Sequence, residues 1–136
     1  MKIILVSHGY FSKGLLESVQ MILGEQENLT AHCLMPEETP AALSQRLEAE
    51  IRETEGDDIL FLTDLYHGSP FNVVVSLMKD YKFRHITGIN MPLLIDAIMS
   101  RNGGLSIQEI CSRLVKQAPG TILDVDDLLK KEDMEE

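Results

Sequence analysis

Short, continuously apolar runs alternate along this chain with longer stretches whose apolar residues recur at helical spacing. Ile3-Ile4-Leu5-Val6 is β-branched and apolar, the pattern of a strand covered on both faces, and it stops at Ser7-His8-Gly9. Leu15, Leu16, Val19, Ile22 and Leu23 mark one face of a helix that closes at Gly24. Leu29 to Leu34 reads as a second strand, after which Thr39-Pro40 caps and opens a helix with the stripe Leu43, Leu47 and Ile51. The strand signal returns at Ile59-Leu60-Phe61-Leu62, ends at Thr63-Asp64, and gives way to the loop Leu65-Tyr66-His67-Gly68. Ser69-Pro70 is read as an N-cap and a first-turn proline, leading a helix whose apolar face is Phe71, Val74, Val75, Leu77 and Met78. His85 to Ile89 is a weaker strand, followed by Asn90 and a helix over Met91 to Met99. Ser106-Ile107-Gln108-Glu109 is a capping box opening another amphipathic helix, and Thr121 to Val125 is expected to form a last strand.

Strands that alternate with helices through short connections imply the doubly wound α/β class, a mainly parallel sheet with helices on both faces. No repeat or low-complexity linker divides the chain, so residues 1–136 are expected to be one domain ending in an acidic tail over about 126–136. Ligands of such sheets gather at the carboxyl ends of the strands, where the chain order reverses. In the flavodoxin-like order 2-1-3-4-5, strands one and three are neighbours at that point. His8 and Asp64 are then expected to face each other.

Charge narrows the partners. The 22 acidic and 12 basic side chains give a formal net charge of −10, which disfavours nucleic acid and anionic lipid. Cys33 and Cys111 have no partner at metal-ligand or redox-motif spacing and read as reduced thiols. No apolar run approaches a membrane span or a signal peptide's hydrophobic region, so a cytoplasmic protein is expected. The seven methionines are read as helical core residues.

A carboxylate beside a histidine accepts one ring N–H, fixes the tautomer and leaves the other nitrogen as a nucleophile or base. Gly9 clears the turn after His8, while Ser69 and the opening of its helix offer donors to an anion. Each residue also has a plainer reading: His8 as a surface histidine, Asp64 as a turn former, Ser69 as a cap. His67 is either a specificity residue, an exposed loop residue or a second catalytic group, and His32 and His85 read as structural. Gly9 to Gly14 has P-loop glycine spacing, but Leu15-Leu16 stands where Lys-Ser/Thr is required, and no dinucleotide fingerprint follows the first strand. A phospho-aspartate receiver would want acidic residues where this chain has His8.

At these residues the sequence resembles the IIA proteins of the mannose family of the bacterial phosphoenolpyruvate-dependent sugar phosphotransferase system (PTS). The resemblance runs through Ile3 to Gly9, Leu23-Gly24-Glu25-Gln26-Glu27-Asn28, Leu60-Phe61-Leu62-Thr63-Asp64, Gly68-Ser69-Pro70-Phe71-Asn72 and Gly88-Ile89-Asn90-Met91-Pro92. It implies that His8 accepts a phosphoryl group from HPr, as tele-phosphohistidine, and hands it to a IIB protein coupled to membrane IIC and IID components. The cargo implied is a hexose or amino sugar. Asp64 is implied to orient His8, Gly9 and Ser69 to line the phosphoryl pocket, and no cofactor or metal is expected. The resemblance also implies a homodimer with an exchanged late strand, for which Thr121 to Val125 is the local candidate. At Leu65-Tyr66-His67 the chain departs from the Trp-Gly-Gly of the mannose transporter, and a separate IIB protein is expected. Two rival readings are a histidine-dependent tetrapyrrole chelatase, from the early strand-His-Gly turn, and a regulatory phospho-domain.

Overall fold

The computed structural model describes residues 1–54 and 56–135. Its element order is β1 (Lys2–His8), α1 (Phe11–Leu23), β2 (Leu29–Leu34), α2 (Pro40–Glu53), β3 (Ile59–Thr63), α3 (Ser69–Leu77), β4 (Arg84–Thr87), α4 (Met91–Asn102), α5 (Ile107–Gln117), a 3-10 turn (Ala118–Thr121) and α6 (Val125–Glu135). The four strands form a parallel sheet in the order β2-β1-β3-β4.

The uninterrupted apolar runs follow from two cores, one on each sheet face. Ile3, Leu5, Leu60 and Leu62 point to the side covered by α1, α4 and α5, where Val19, Leu94, Ile98, Ile110 and Leu114 close the layer. Their neighbours Ile4, Val6, Ile59 and Phe61 point to the opposite side, against Leu43 and Leu47 of α2 and Val74 and Leu77 of α3. A polar residue within either run would leave an unsatisfied group in one of these cores.

The helices begin where side chains can satisfy their free N–H groups. Thr39 caps α2 by accepting from Ala42 N–H at 3.1 Å, Asn90 caps α4 through Leu93 N–H at 3.0 Å, and Ser106 with Glu109 completes the capping box of α5. At α3 the N-cap is Gly68, not Ser69, with Ser69 and Pro70 already inside the helix. The buried stripe of α3 is Pro70, Val73, Val74 and Leu77, while Val75 and Met78, read as part of the apolar face, are exposed. Helix α1 begins at Phe11, so Gly14 lies on a helical turn and not in a phosphate-binding loop. Met21, Met99 and Met134 are exposed, contrary to the core placement read for the methionines.

The expected strand at Thr121 to Val125 does not form in this chain. Pro119 and Gly120 wind a 3-10 turn, which Thr121 closes by donating to the Ala118 carbonyl at 2.7 Å and accepting from Asn90 Nδ2 at 2.9 Å. Asp124 then accepts from the Asp126 and Asp127 N–H groups, and α6 starts at Val125. Only three residues are left between turn and helix, and Ile122, the first of them, is extended but 82% exposed. The acidic tail is correspondingly a helix through Glu135, with Asp126 and Asp127 placed favourably in its first turn; Glu136 lies outside the described residues.

Candidate active site

Strand order puts the ends of β1 and β3 side by side, and two left-handed glycines complete the site. The turn after β1 is fixed by Ser7, wholly buried, whose Oγ donates to the Gly9 carbonyl at 3.1 Å and accepts from Ser12 N–H at 2.7 Å. Gly9 adopts φ 54°, and its N–H reaches the Leu34 carbonyl of β2 at 2.8 Å. This reversal leaves the His8 side chain 50% exposed at the tip of the sheet.

Asp64 meets His8 twice through one oxygen. Its Oδ2 accepts from the His8 backbone N–H at 2.9 Å and lies 2.8 Å from His8 Nδ1, while Oδ1 accepts from Leu65 N–H at 3.1 Å. The backbone contact continues the sheet. At the other end of the ladder Lys2 N–H donates to the Asp58 carbonyl at 2.8 Å, the same offset between β1 and β3. Asp64 therefore sets a carboxylate oxygen where a ladder carbonyl would stand, and that oxygen also holds the ring. The carboxylate assigns the proton to Nδ1 and leaves the Nε2 lone pair free.

Gly68 lies against the free side of the ring. A Cβ at this position would come within 2.9 Å of His8 Cε1 and 3.1 Å of Nε2, and its φ of 94° is one that side-chain-bearing residues rarely adopt. Gly68 thus belongs to the site, although the sequence singled it out only as part of a motif. The close approach to His8 has no local signal in sequence. Ser69, the first residue of α3, follows directly, and no side chain caps this helix. The first helical bond is Asn72 N–H to the Gly68 carbonyl at 2.9 Å, so the Ser69 and Phe71 N–H groups precede the intrahelical ladder.

Behind the site, Thr63 anchors the end of β3. Its wholly buried Oγ1 lies 2.8 Å from His85 Nε2 and 2.7 Å from Thr87 Oγ1, and its carbonyl accepts from Gly88 and Ile89 N–H. Burial pushes the His85 pKa down to about 4, which favours the neutral ring at neutral pH. His67 has φ 73° and packs its ring 3.7 Å from that of Tyr66, centroid to centroid; Tyr66 meets Phe71 at 5.2 Å, and Phe71 meets His85 at 5.3 Å. His32 lies apart, with Nε2 2.9 Å from Glu50, which also accepts from Thr30 at 2.6 Å.

Fold and site together define a doubly wound α/β protein with a carboxylate-oriented, solvent-facing histidine at its switch point. A family model described as the PTS system fructose IIA component matches residues 2–115. The chain is 30% identical over 117 residues to the sorbose-specific EIIA component of Lacticaseibacillus casei, covering 85% of this chain and 84% of that one. It is 32% identical over 118 residues to the mannose-specific EIIAB component of Escherichia coli K12, covering 84% of this chain but spanning only 36% of the relative's length. The EIIA crystal structure from Streptococcus agalactiae superposes with a TM-score of 0.85 at 29% identity, covering 93% of this chain and 98% of that one. This chain belongs to the mannose/fructose-type IIA family of the sugar PTS. The family decides against the tetrapyrrole chelatase reading.

Among the described residues, no helix is long and apolar enough to cross a membrane.

Proposed function

We propose that His8 is a phosphocarrier residue which takes a phosphoryl group from phospho-HPr and passes it to a IIB protein, in the cytoplasm, for uptake and phosphorylation of a hexose or amino sugar. The observation that carries this reading is the pairing of Asp64 Oδ2 with Nδ1 at 2.8 Å, which leaves Nε2 nucleophilic and facing outward beside Gly68. In the first transfer the Nε2 lone pair forms a bond to phosphorus as the bond to the donor breaks, and the electron pair of that bond stays on the donor. In the second transfer the phosphorus passes to the acceptor's nucleophile and the pair returns to Nε2. The Nδ1 proton stays on Nδ1 throughout, with Asp64 balancing the positive charge that builds on the ring. Ser69, with the N–H groups that open α3, offers donors to the phosphoryl oxygens, and Gly9 keeps the approach clear.

Incubation with enzyme I, HPr and phosphoenolpyruvate should yield acid-labile phosphohistidine at Nε2 of His8, resolved by NMR of the phosphorylated ring. Labelling of His8→Ala to the wild-type extent would sink the assignment. We also propose that the protein works as a homodimer. Ile122, Leu123, Val125 and Leu129 are exposed in the single chain, and a second copy would cover them. Sedimentation of the intact protein as a monomer at micromolar concentration would contradict this.

A further inference from the structure

The side chains of Leu65, Tyr66 and His67, between Asp64 and Gly68, make no hydrogen bond to His8; only the Leu65 N–H supports the site, through Asp64 Oδ1. Asp64 binds the ring and Gly68 touches it, so Leu65, Tyr66 and His67 stand at the rim of the reactive nitrogen by chain connection alone. Leu65 is exposed and Tyr66 is 63% exposed, and Tyr10, in the turn after β1, and Phe11, the first residue of α1, present further apolar surface. Isolated exposed apolar residues are ordinary, but a set on both loops that flank one reactive atom is not.

The Tyr66 edge is also backed by other rings. Its ring is held by His67 and Phe71, and Phe71 rests on the half-buried His85 of β4, so the stack runs from solvent down to the sheet. His67 keeps a left-handed φ of 73°, a conformation that side-chain-bearing residues adopt infrequently. Strain of this kind persists only where neighbouring contacts enforce it, and here the ring contacts do so. A rigid, exposed aromatic side chain loses little entropy on contact with a protein, the property that makes tyrosine a common interface anchor.

We infer that the Leu65–His67 rim, with Tyr66 as its anchor, is the surface that selects the IIB acceptor. This rests on the phosphocarrier reading above. Any protein that brings a nucleophile to a phosphoryl group on Nε2 must cover this rim. Relatives named for mannose, sorbose and fructose share the family and differ in the sugar they serve. A donor common to such carriers has to tolerate different rims, whereas the sugar-specific acceptor can be matched to one.

The two half-reactions separate the possibilities. Charging of the protein by phospho-HPr and its discharge to purified IIB proteins of the mannose-, sorbose- and fructose-specific systems are timed by rapid quench. Tyr66→Ala should raise the KM for whichever IIB the wild type uses best by about thirtyfold, with kcat little changed, and slow charging by less than threefold. Tyr66→Phe keeps the ring and should stay within about threefold of wild type on both steps. His67→Gly relieves the left-handed strain while removing the stacking ring. It should hold or raise the melting temperature and still weaken discharge several-fold, which a purely structural role would not produce. Equal slowing of charging and discharge in Tyr66→Ala, or unchanged discharge, would overturn acceptor selection. Failure of the wild type to charge, or to discharge to any IIB tested, would remove the relay reading and this one with it, and is visible before any variant is compared.

Discussion

Gly68→Ala isolates what the bare α-carbon beside His8 contributes. The added methyl would sit 2.9 Å from Cε1 and 3.1 Å from Nε2, closer than non-bonded carbon contacts at their optimum of roughly 3.5–4.0 Å, so the ring or the loop must move. The backbone resists, because φ 94° and ψ 168° at Gly68 lie in a region that is essentially glycine-only and costs other residues of order 1–3 kcal/mol. If the ring moves, the 2.8 Å contact to Asp64 is lost, a charge-assisted bond worth about 1.5–3 kcal/mol. In either case a methyl occupies space that a phosphoryl oxygen on Nε2 would need. A loss of about 2.7 kcal/mol in transition-state stabilisation is already a hundredfold in rate. Charging from phospho-HPr should therefore fall at least about a hundredfold by rapid quench, while circular dichroism shows a folded protein with a melting temperature lower by several degrees. A folded Gly68→Ala protein that charges at the wild-type rate would refute the steric role, whatever happens to its stability.

Other perturbations test the supporting contacts. Asp64→Ala removes the partner of both the His8 backbone and its ring, and should slow charging by about ten- to a hundredfold in the same rapid-quench assay, an effect of 1.4–2.7 kcal/mol. Glu50→Gln addresses a separate network. Burial works to raise the Glu50 pKa, but hydrogen bonds from His32 and Thr30, together with the nearby Lys2 ammonium, hold the value below the usual carboxylate range. Its contribution is then present above the unfolded carboxyl pKa of about 4.3 and lost as pH falls through the lower folded value; urea titrations should show Glu50→Gln less stable at pH 7, with the difference shrinking in strong acid. His85 shows the same sign in a higher pH window. With a folded pKa of about 4 against about 6.5 unfolded, the unfolded chain binds the extra proton between those values, so stability falls as pH drops through that window. His85→Gln should flatten the denaturant midpoint over that same window.

Much of the fold could be read from the chain because each strand carries its own signal. Continuous runs such as Ile3 to Val6 and Ile59 to Leu62 need apolar cover on both faces, and that alone implies parallel strands under two helical layers. The pairing of His8 with Asp64 followed from strand order. The last element differs within the single chain because β-branched and apolar residues from Thr121 to Val125 satisfy strand propensity, while the 3-10 turn at Pro119-Gly120 and the start of α6 at Val125 leave only Ile122 to Asp124 between them. The Gly68 contact and the aromatic stack were illegible for a different reason. Each depends on where residues far apart in sequence meet, His8 with Gly68 and Phe71 with His85, and no local period records that.

The Asp64 carboxylate links the fold to the chemistry more tightly than an ordinary histidine–aspartate pair. In a parallel ladder, alternate N–H groups of β1 serve its two neighbours: Ile3 and Gly9 donate to Asn28 and Leu34 on the β2 side, and Lys2 to Asp58 on the β3 side. His8 falls due to donate to β3 just after that strand has ended at Thr63. The Asp64 side chain accepts this N–H, and the same Oδ2 reaches Nδ1. The ring is therefore indexed to the sheet and not to a flexible loop. Asp64→Glu keeps the charge but adds a methylene, so it can satisfy the backbone N–H or the ring nitrogen at the old geometry and not both. Charging should fall about tenfold or more even though a carboxylate remains, and ring-nitrogen NMR should show a mixture of His8 tautomers where the wild type shows Nδ1–H alone. A glutamate variant with wild-type charging and a single tautomer would mean that charge alone orients the ring and that the ladder position is incidental.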